Sequence, residues 1–378
     1  ALNGANKNVA IGYQALSSPV SGDQNVGVGF ESLTALTTGT GNSSIGYQSG
    51  DSITTSEYNA LLGYQAGAAL TDGSGQNVAI GYQPLYNSTN NTRVIAIGTR
   101  AGYNSTADSN VYIGYSAGRE SRAGIAQVYI GSQAGYYATG SYNTFVGQDA
   151  GLGGQTSAPF SSGINNTAVG YQALKSFTTG NHNNAIGYFS GQNITEGEQN
   201  NLVGYYAGNS ITTGDSNVAL GHSALQSVTT TDSSTAVGHQ AFLNRTIAGG
   251  VAVGHKAGLA GGGQDAVYIS DRAGENADST SNYNVGIGNW TLRYNVTGDN
   301  NVAIGRVSQM GISGKSHSDN TSVGYESLKY IVGSDSVGIG SEAGLNATGS
   351  YNTFVGSEAG KGGTTSAPYS SGENNTAV

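Results

Sequence analysis

The chain has little of several things on which many folds depend. Its 378 residues include no cysteine, four prolines, one methionine and one tryptophan. Without cysteine it can build neither a disulfide framework nor a thiolate metal site. It has 62 glycines, but glycine does not occur at every third position. Collagen is therefore excluded, and so is a proline-rich disordered tract.

Charge and long apolar runs are also scarce. Charged residues make up 10% of the chain, the net charge is −9, and no basic run occurs. The sequence thus has no electrostatic footprint for nucleic acid or for an anionic membrane surface. No stretch approaches the ~18 apolar residues of a transmembrane helix, and the first residues lack the features of a signal peptide. We expect no nucleic-acid partner and no membrane insertion in this segment.

No arrangement of residues typical of a catalytic site is found in the sequence. Acidic residues such as Glu196, Asp215 and Asp265 are scattered, and no set of histidine, acid and nucleophile appears. The glycine-rich pieces do not stand between a strand and a helix, as a phosphate-binding loop requires. We predict that the protein is not an enzyme and has no catalytic residue, metal site or cofactor.

The chain does contain one sequence motif, which is repeated from end to end. Asn-Val-Ala-Ile-Gly-Tyr at residues 8–13 returns at residues 77–82 and, with small changes, at 183–188. The glycine of this motif is here called the anchor glycine. There are 21 copies of the motif from Gly12 to Gly356, and one of them has Ser270 in place of the glycine. Most successive anchor positions lie 16 to 18 residues apart. A short fixed period is the signature of stacked identical units. We therefore expect residues 1–378 to form a single continuous repeat domain, a segment of a longer fibre.

Each repeat has the pattern of a short β-strand between turns. The residue before the anchor glycine is Ile, Val or Leu in all 21 copies, and the residue two earlier is usually Val or Thr. Alternation of β-branched residues is typical of a strand. We predict an all-β fold, a parallel β-solenoid (β-roll) of about 21 coils of ~17 residues stacked at ~4.8 Å per coil. Stacked Val and Ile side chains would form its continuous core.

The residue that opens each strand shows a second regularity, because it is Asn in 15 of the 21 copies. Asn at the same corner of successive coils can hydrogen-bond along the axis of the solenoid. Such a ladder satisfies polar groups that a narrow core would leave unpaired. We expect this structural ladder at Asn8, Asn25, Asn42, Asn143 and Asn301.

The repeated phrase Asn-x-Ala-Ile-Gly, followed by an Ala/Ser and Leu/Gly corner, resembles the head repeats of YadA-like trimeric autotransporter adhesins. It resembles still more the longer, tyrosine-containing repeats of phage tail-fibre proteins. The resemblance implies a left-handed β-roll in each chain and three chains packed about a threefold axis, hence a homotrimer. It places a set of Val and Ile strand residues in the core or in the seam between chains: Val9, Ile11, Val78, Ile80, Val302 and Ile304.

Aromatic residues follow the anchor glycine in many copies and predict a ladder of rings along the solenoid. Tyr171, Tyr188 and Tyr205 of this ladder are candidate contacts for a glycan or receptor, and a stack that only stiffens the coils is the alternative. The same position is later occupied by His222, His239 and His255. Three histidines on adjacent coils raise the alternative of a metal or anion site, but no carboxylate recurs beside them, and drift from tyrosine to histidine in a surface ladder explains them equally well.

Two blocks of the chain are near copies of each other. Residues 138–169 and 347–378 are identical at 26 of 32 positions, and each contains an insertion with an aromatic residue after a proline, Phe160 and Tyr369. Insertions in a solenoid emerge as loops on one face, where binding concentrates. Phe160 and Tyr369 are therefore further candidate contacts, with a passive loop as the alternative.

Two classes of function fit these observations. The first is the structural shaft of an extracellular fibre, on a virion tail or a cell surface, that displays or contributes to receptor attachment. The alternative is an adhesin that binds a host-surface glycan itself through the tyrosines or the inserted loops. An ice-binding solenoid would need a regular Thr-x-Thr face, whereas the Thr pairs of this sequence stand in variable turns. A polysaccharide-cleaving tailspike would need paired carboxylates in a groove, whereas the acidic residues here are scattered.

Overall fold

The computed structural model describes residues 6–71, 75–154, 161–363 and 371–378. Within these ranges the protein is all-β and contains no helix. It has two compact units, residues 1–197 and residues 198–378, and each is a parallel β-solenoid with one short strand per coil. The predicted fold class, a parallel β-solenoid of about 20 coils, is confirmed. The single continuous domain remains a prediction.

The strands are almost all three residues long. In the first unit they are β1 (Val9–Ile11), β2 (Val26–Val28), β3 (Ser43–Ile45), β4 (Ala60–Leu62), β5 (Val78–Ile80), β6 (Ile95–Ile97), β7 (Val111–Ile113), β8 (Val128–Ile130), β9 (Thr144–Val146), β10 (Thr167–Val169) and β11 (Asn184–Ile186). In the second unit they are β12 (Asn201–Val203), β13 (Val218–Leu220), β14 (Thr235–Val237), β15 (Val251–Val253), β16 (Val267–Ile269), β17 (Val285–Ile287), β18 (Val302–Ile304), β19 (Thr321–Val323), β20 (Val337–Ile339), β21 (Thr353–Val355) and β22 (Thr376–Ala377).

Successive strands of a unit pair side by side, in parallel and in register. Val26 pairs with Val9 on one side and with Ser43 on the other. The same arrangement runs from β12 to β22 in the second unit. Hydrogen bonds between coils continue past the strands, since the amide of Glu31 donates to the carbonyl oxygen of Tyr13 at 2.8 Å. The turns are therefore held by the same coil-to-coil bonding as the strands.

The anchor glycine is required by the close approach of neighbouring coils. Gly46 has a φ of +140°, and a Cβ placed on it would lie 2.2 Å from the carbonyl oxygen of Gly63 in the next coil. A larger residue would be strained and would clash with backbone. Ser270, the one exception in the repeat, has a smaller φ of 111°.

Several positions fill the interior of the coils, among them the middle residue of the strand and the residue four after the anchor glycine. In many coils one of these two residues is large and the other is small. Tyr129 in β8 faces Gly135, whereas Ala168 in β10 is accompanied by Leu174, and all four are buried. A Cβ on Gly135 would lie 2.4 Å from Cδ2 of Tyr129. Each of these two coils thus holds one large side chain at this level, taken from either position, as close packing demands.

The Val and Ile strand positions do not line this interior. Side chains alternate across a strand, so when the middle residue points inward the first and third residues point outward. Val9 is 43% exposed, Ile11 59% and Ile304 38%, while Val78, Ile80 and Val302 are half-buried. Of the two places predicted for these six residues, the core was wrong, because the residue between them occupies that space. Their place in a seam between chains remains a prediction.

Most of the strand-opening asparagines are buried, and they are hydrogen-bonded from coil to coil. Asn42 accepts at Oδ1 from the backbone amide of Asn59 at 3.0 Å, and its Nδ2 donates to the carbonyl oxygen of Ser56 at 2.9 Å. Its own amide donates to Oδ1 of Asn25 at 2.9 Å. Equivalent bonds are made by Asn8, Asn143 and Asn301. In this arrangement, each side chain satisfies buried backbone groups of the adjacent coil.

Candidate functional site

The third residues of the strands form a row of outward-facing aliphatic side chains within each unit, here called the aliphatic stripe. In the first unit Ile45 is 45% exposed and Leu62 47%, and the parallel register places one directly over the other. The exposed members of the second unit include Ile287, Ile304, Val323, Ile339 and Val355. A contiguous row of exposed apolar side chains is a candidate interaction surface.

The residue after the anchor glycine forms a second row, here called the tyrosine ladder. In the first unit it begins with Tyr13, Phe30, Tyr47, Tyr64 and Tyr82. Neighbouring ring centroids are 5.1–5.2 Å apart, and the ring planes differ by 5–17°. All five rings are exposed. Because the faces of these rings are turned toward one another, their edges and the tyrosine hydroxyl groups are what meets solvent.

The predicted contact tyrosines lie in rows of this kind in both units. Tyr171 and Tyr188 are stacked in the first unit with centroids 5.2 Å apart. Tyr205 belongs to the second unit, where it stacks on His222 at 4.9 Å. The structure therefore brings Tyr171 and Tyr188 together. The other two candidates, Phe160 and Tyr369, lie outside the described residues.

Beside the tyrosine ladder runs a row of side-chain amides, two residues after the anchor glycine. Nε2 of Gln48 donates to Oε2 of Glu31 at 2.8 Å, Nε2 of Gln65 donates to Oε1 of Gln48 at 2.9 Å, and Gln83 donates to Gln65 at 2.8 Å. Each amide thus presents a donor to one coil and an acceptor to the next. The aromatic and amide rows together give this face a repeating polar surface.

The three histidines lie on adjacent coils of the second unit, as predicted. Their ring centroids are 4.9 Å apart for His222 and His239 and 5.3 Å for His239 and His255. Partial burial lowers the pKa of His239, and the neighbouring imidazoles lower it further. A carboxylate does follow them, because Nδ1 of His255 lies 2.7 Å from Oδ1 of Asp271. Asp271 comes directly after Ser270, so counting from the degenerate anchor position would have found it.

The row does not have the geometry of a metal site. The ring planes differ by 31° between His222 and His239 and by 20° between His239 and His255, so the rings lie over one another rather than around one point, as metal–nitrogen bonds of ~2.0 Å would require. Among the described residues, no group of three or more His, Cys, Asp or Glu side chains could hold a metal ion. The structure supports a stacking role for this row.

A further row of side chains was missed by the sequence reasoning. Tyr86 and Tyr103 stack at 5.1 Å, and the guanidinium of Arg119 lies 5.3 Å from the ring of Tyr103 and 5.4 Å from that of Tyr136. All four residues stand five after an anchor glycine, and this common phase is the signal that would have revealed them. Cation–π contacts of this kind stabilise neighbouring coils.

The second unit also buries a cation in its core. Arg245 is fully buried, and its Nη1 donates to the carbonyl oxygen of Gly261 at 2.9 Å. Its guanidinium carbon lies 4.2 Å from the centroid of the Phe242 ring. Burial lowers the pKa of Arg245 to about 10. Carbonyl oxygens and an aromatic face thus compensate this charge, and its role is structural.

No helix in the part of the chain that the structure describes is long and apolar enough to cross a membrane. In comparison with known proteins, the chain matches no family model and no curated protein.

Proposed function

We propose that this chain is a structural shaft of an extracellular homotrimeric fibre, of the phage tail-fibre or surface-adhesin type, that displays or contributes to receptor attachment. The observation that carries the proposal is the aliphatic stripe. In strands β1 to β21 the third residue is always Ile, Val or Leu, and it is always exposed or half-buried. Packing the stripes of three copies together would remove apolar surface from water, at roughly 25 cal/mol per Å² buried.

A mechanical role rather than a chemical one is supported by what binds the coils together. Backbone hydrogen bonds, buried asparagines and stacked rings all connect one coil to the next along the stack. Such contacts make a repeat protein resist local opening, because each coil inside a unit is held by both neighbours. We propose that the protein is not an enzyme and that it acts as a stiff spacer outside the cell or on a virion.

The mass of the chain in solution, measured by light scattering together with circular dichroism, tests the assembly. The proposal expects a β-rich particle of about three times the chain mass of 38.1 kDa. A stable β-rich monomer with no tendency to associate would contradict the trimer. The aliphatic stripe would then have to be assigned to a different partner.

A second candidate function is direct glycan binding, and the tyrosine ladder favours it. Its hydroxyl groups and the adjacent amides repeat from coil to coil on one accessible face. Polar groups on aromatic supports are typical of carbohydrate contacts. A glycan array would test it, with loss of signal expected when Tyr171, Tyr188 and Tyr205 are each replaced by alanine. A signal that survives all three changes would leave the ladder with a purely structural role.

A further inference from the structure

Three consecutive phenols of the tyrosine ladder lie unusually well placed to react with one another. The ring centroids of Tyr47 and Tyr64 are 5.2 Å apart with planes 5° from parallel, and those of Tyr64 and Tyr82 are 5.2 Å apart with planes 7° from parallel. The strands just before them pair in register, Ile45 with Leu62 and Leu62 with Ile80. Equivalent ring carbons are therefore held next to one another by the backbone ladder.

These rings are also accessible. Tyr47, Tyr64 and Tyr82 are 41, 43 and 45% exposed. An oxidant in solution can thus reach them, and a proton lost from a phenol can pass directly to water.

The core tyrosines provide a contrast within the same unit. Tyr112 and Tyr129 are fully buried, with centroids 5.6 Å apart and planes tilted by 41°. Burial raises the pKa of Tyr112 to about 12 and that of Tyr129 well above its usual value. These phenols can neither be reached by an enzyme-bound oxidant nor release a proton to solvent.

We propose that Tyr47, Tyr64 and Tyr82 form a site of oxidative cross-linking, in which dityrosine joins neighbouring coils of one chain. The oxidant is a peroxide acting through a haem peroxidase. Each of two neighbouring phenols gives up one electron and one proton. The two tyrosyl radicals then form one carbon–carbon bond between ring carbons ortho to the hydroxyl groups, and the two displaced ring hydrogens move to the oxygens and restore both phenols. In total, two tyrosines and one hydrogen peroxide give one dityrosine and two water molecules.

The ladder itself limits which pairs can join. Phe30 stacks on Tyr13 and Tyr47 at 5.1 Å but has no hydroxyl group, so the run of phenols stops there. Tyr47 and Tyr82 are separated by a whole coil. The link is therefore confined to Tyr47 with Tyr64 and to Tyr64 with Tyr82. It would connect residues distant in sequence, as a disulfide does in other extracellular chains, in a protein that has no cysteine.

The experiment treats the whole chain, at low concentration, with a haem peroxidase and hydrogen peroxide. Digestion after glutamate and after basic residues then releases fragments 32–57, in which Tyr47 is the only tyrosine, and 58–93. We expect these two fragments to be joined, with a mass two hydrogen atoms below their sum and with dityrosine fluorescence. In an equal mixture of isotope-labelled and unlabelled chains, both fragments of each joined pair should carry the same label.

Three conservative variants make the assignment specific. Tyr64→Phe keeps the stacked ring but should abolish the joined product. Tyr58→Phe is the matched control, because Tyr58 is 57% exposed and lies in the same fragment as Tyr64, and the product should persist. Phe30→Tyr extends the run of phenols and should add a new link between fragments 8–31 and 32–57.

The proposal is overturned if the wild-type chain yields no joined product, or if the product survives Tyr64→Phe. It is also overturned if Tyr58→Phe removes the product, or if most joined pairs carry mixed labels. The inference does not depend on trimer formation, because the link it predicts lies within one chain.

Discussion

At the scale of single residues, the buried asparagines show how a narrow core can contain polar groups. Asn42 is fully buried, yet its side chain accepts from the amide of Asn59 and donates to the carbonyl of Ser56. In one coil Gln127 takes the place of the asparagine, and its Nε2 donates to the carbonyl oxygen of Gly140 at 2.7 Å. Its Oε1 accepts from the hydroxyl of the buried Tyr112 at 2.7 Å, so a longer amide can also use its donor and its acceptor at this corner.

We predict that Asn42→Ala lowers the free energy of unfolding by about 2–4 kcal/mol, because it leaves a buried amide and a buried carbonyl unpaired. Urea denaturation followed by circular dichroism measures the loss. Asn87→Ala is the matched control, since Asn87 is exposed although its Nδ2 also donates to the next coil, to Oδ1 of Asn104 at 2.9 Å. A loss for Asn42→Ala no larger than for Asn87→Ala would refute the structural role of the ladder.

A second single-residue effect concerns His317 in the second unit. It is buried, its Nδ1 lies 3.3 Å from Oδ1 of Asn301, and its Nε2 has no hydrogen-bond partner among the described residues. Burial lowers its pKa from 6.5 to about 4. The folded protein therefore holds this imidazole in its neutral form.

The lowered pKa of His317 determines how the stability of the fold depends on pH. Between pH 6.5 and 4 the unfolded chain binds a proton that the folded chain does not. Stability due to His317 is thus fully present above pH 6.5, and roughly 3 kcal/mol is lost as the pH falls to 4. We expect the free energy of unfolding to fall over this range in the wild-type chain and to fall less steeply in His317→Gln. Equal slopes in urea titrations of the two proteins would disprove the effect.

At the scale of the coil, the sequence predicted the existence and spacing of the strands but not which face points inward. A period of two identifies two faces and does not say which one is buried. The larger Val and Ile suggested the core, yet the middle residue fills it, as Tyr129 and Ala168 do. The clue in the sequence was the opposite variation of size, with Gly135 against Tyr129 and Leu174 against Ala168.

The backbone conformation of the turns could not be predicted from the sequence, for a different reason. Gln48 and Leu33 have φ values of 49° and 52°, a left-handed conformation that these residue types adopt rarely. The amide of Gln48 donates to the carbonyl of Phe30, and the amide of Leu33 donates to the carbonyl of Ser49. Bonds between coils thus override local propensity, and local propensity is all that a single repeat provides.

Strand β9 allows a test of whether the middle strand residue and the residue four after the anchor glycine share one space in the core. Phe145 is buried and stacked on Tyr129 at 5.0 Å, and a Cβ on Gly151 would lie 2.3 Å from its Cδ2. We expect Phe145→Ala to cost about 3–5 kcal/mol, and Gly151→Leu to be destabilising because it overfills the coil. The double variant should recover at least ~2 kcal/mol, because it reproduces the arrangement of Ala168 and Leu174 in the next coil.

A double-mutant cycle in urea measures this coupling. Gly151→Leu combined with Leu61→Ala is the control, since Leu61 belongs to a distant coil of the same unit and the two changes should be additive. Additive costs for Phe145→Ala and Gly151→Leu would mean that the two positions do not share one space.

At the scale of the whole molecule, the aliphatic stripe is the feature that the single chain leaves unexplained. Each coil has a complete core of its own, so the outward Ile, Val and Leu add nothing to the interior of the chain. Apolar side chains on a solvent-facing sheet face normally promote association. Their recurrence in strands β1 to β11 of the first unit and β12 to β21 of the second gives each unit an apolar surface that grows with the number of its coils, which suits the side-by-side packing proposed for a trimer.

Introducing charge on the stripe should therefore dissociate the assembly without unfolding the chain. We predict that the combined changes Ile45→Glu, Leu62→Glu and Ile80→Glu reduce the solution mass from three chains toward one, because three copies would bring these carboxylates together in an apolar seam. The control adds the same charge to the same unit, through Thr38→Glu, Thr55→Glu and Thr89→Glu at exposed positions away from the stripe. It should remain trimeric, and circular dichroism should show unchanged β-structure in both proteins. If the two variants have the same mass, the stripe is not the seam, and the Val and Ile strand positions face solvent in the native assembly as well.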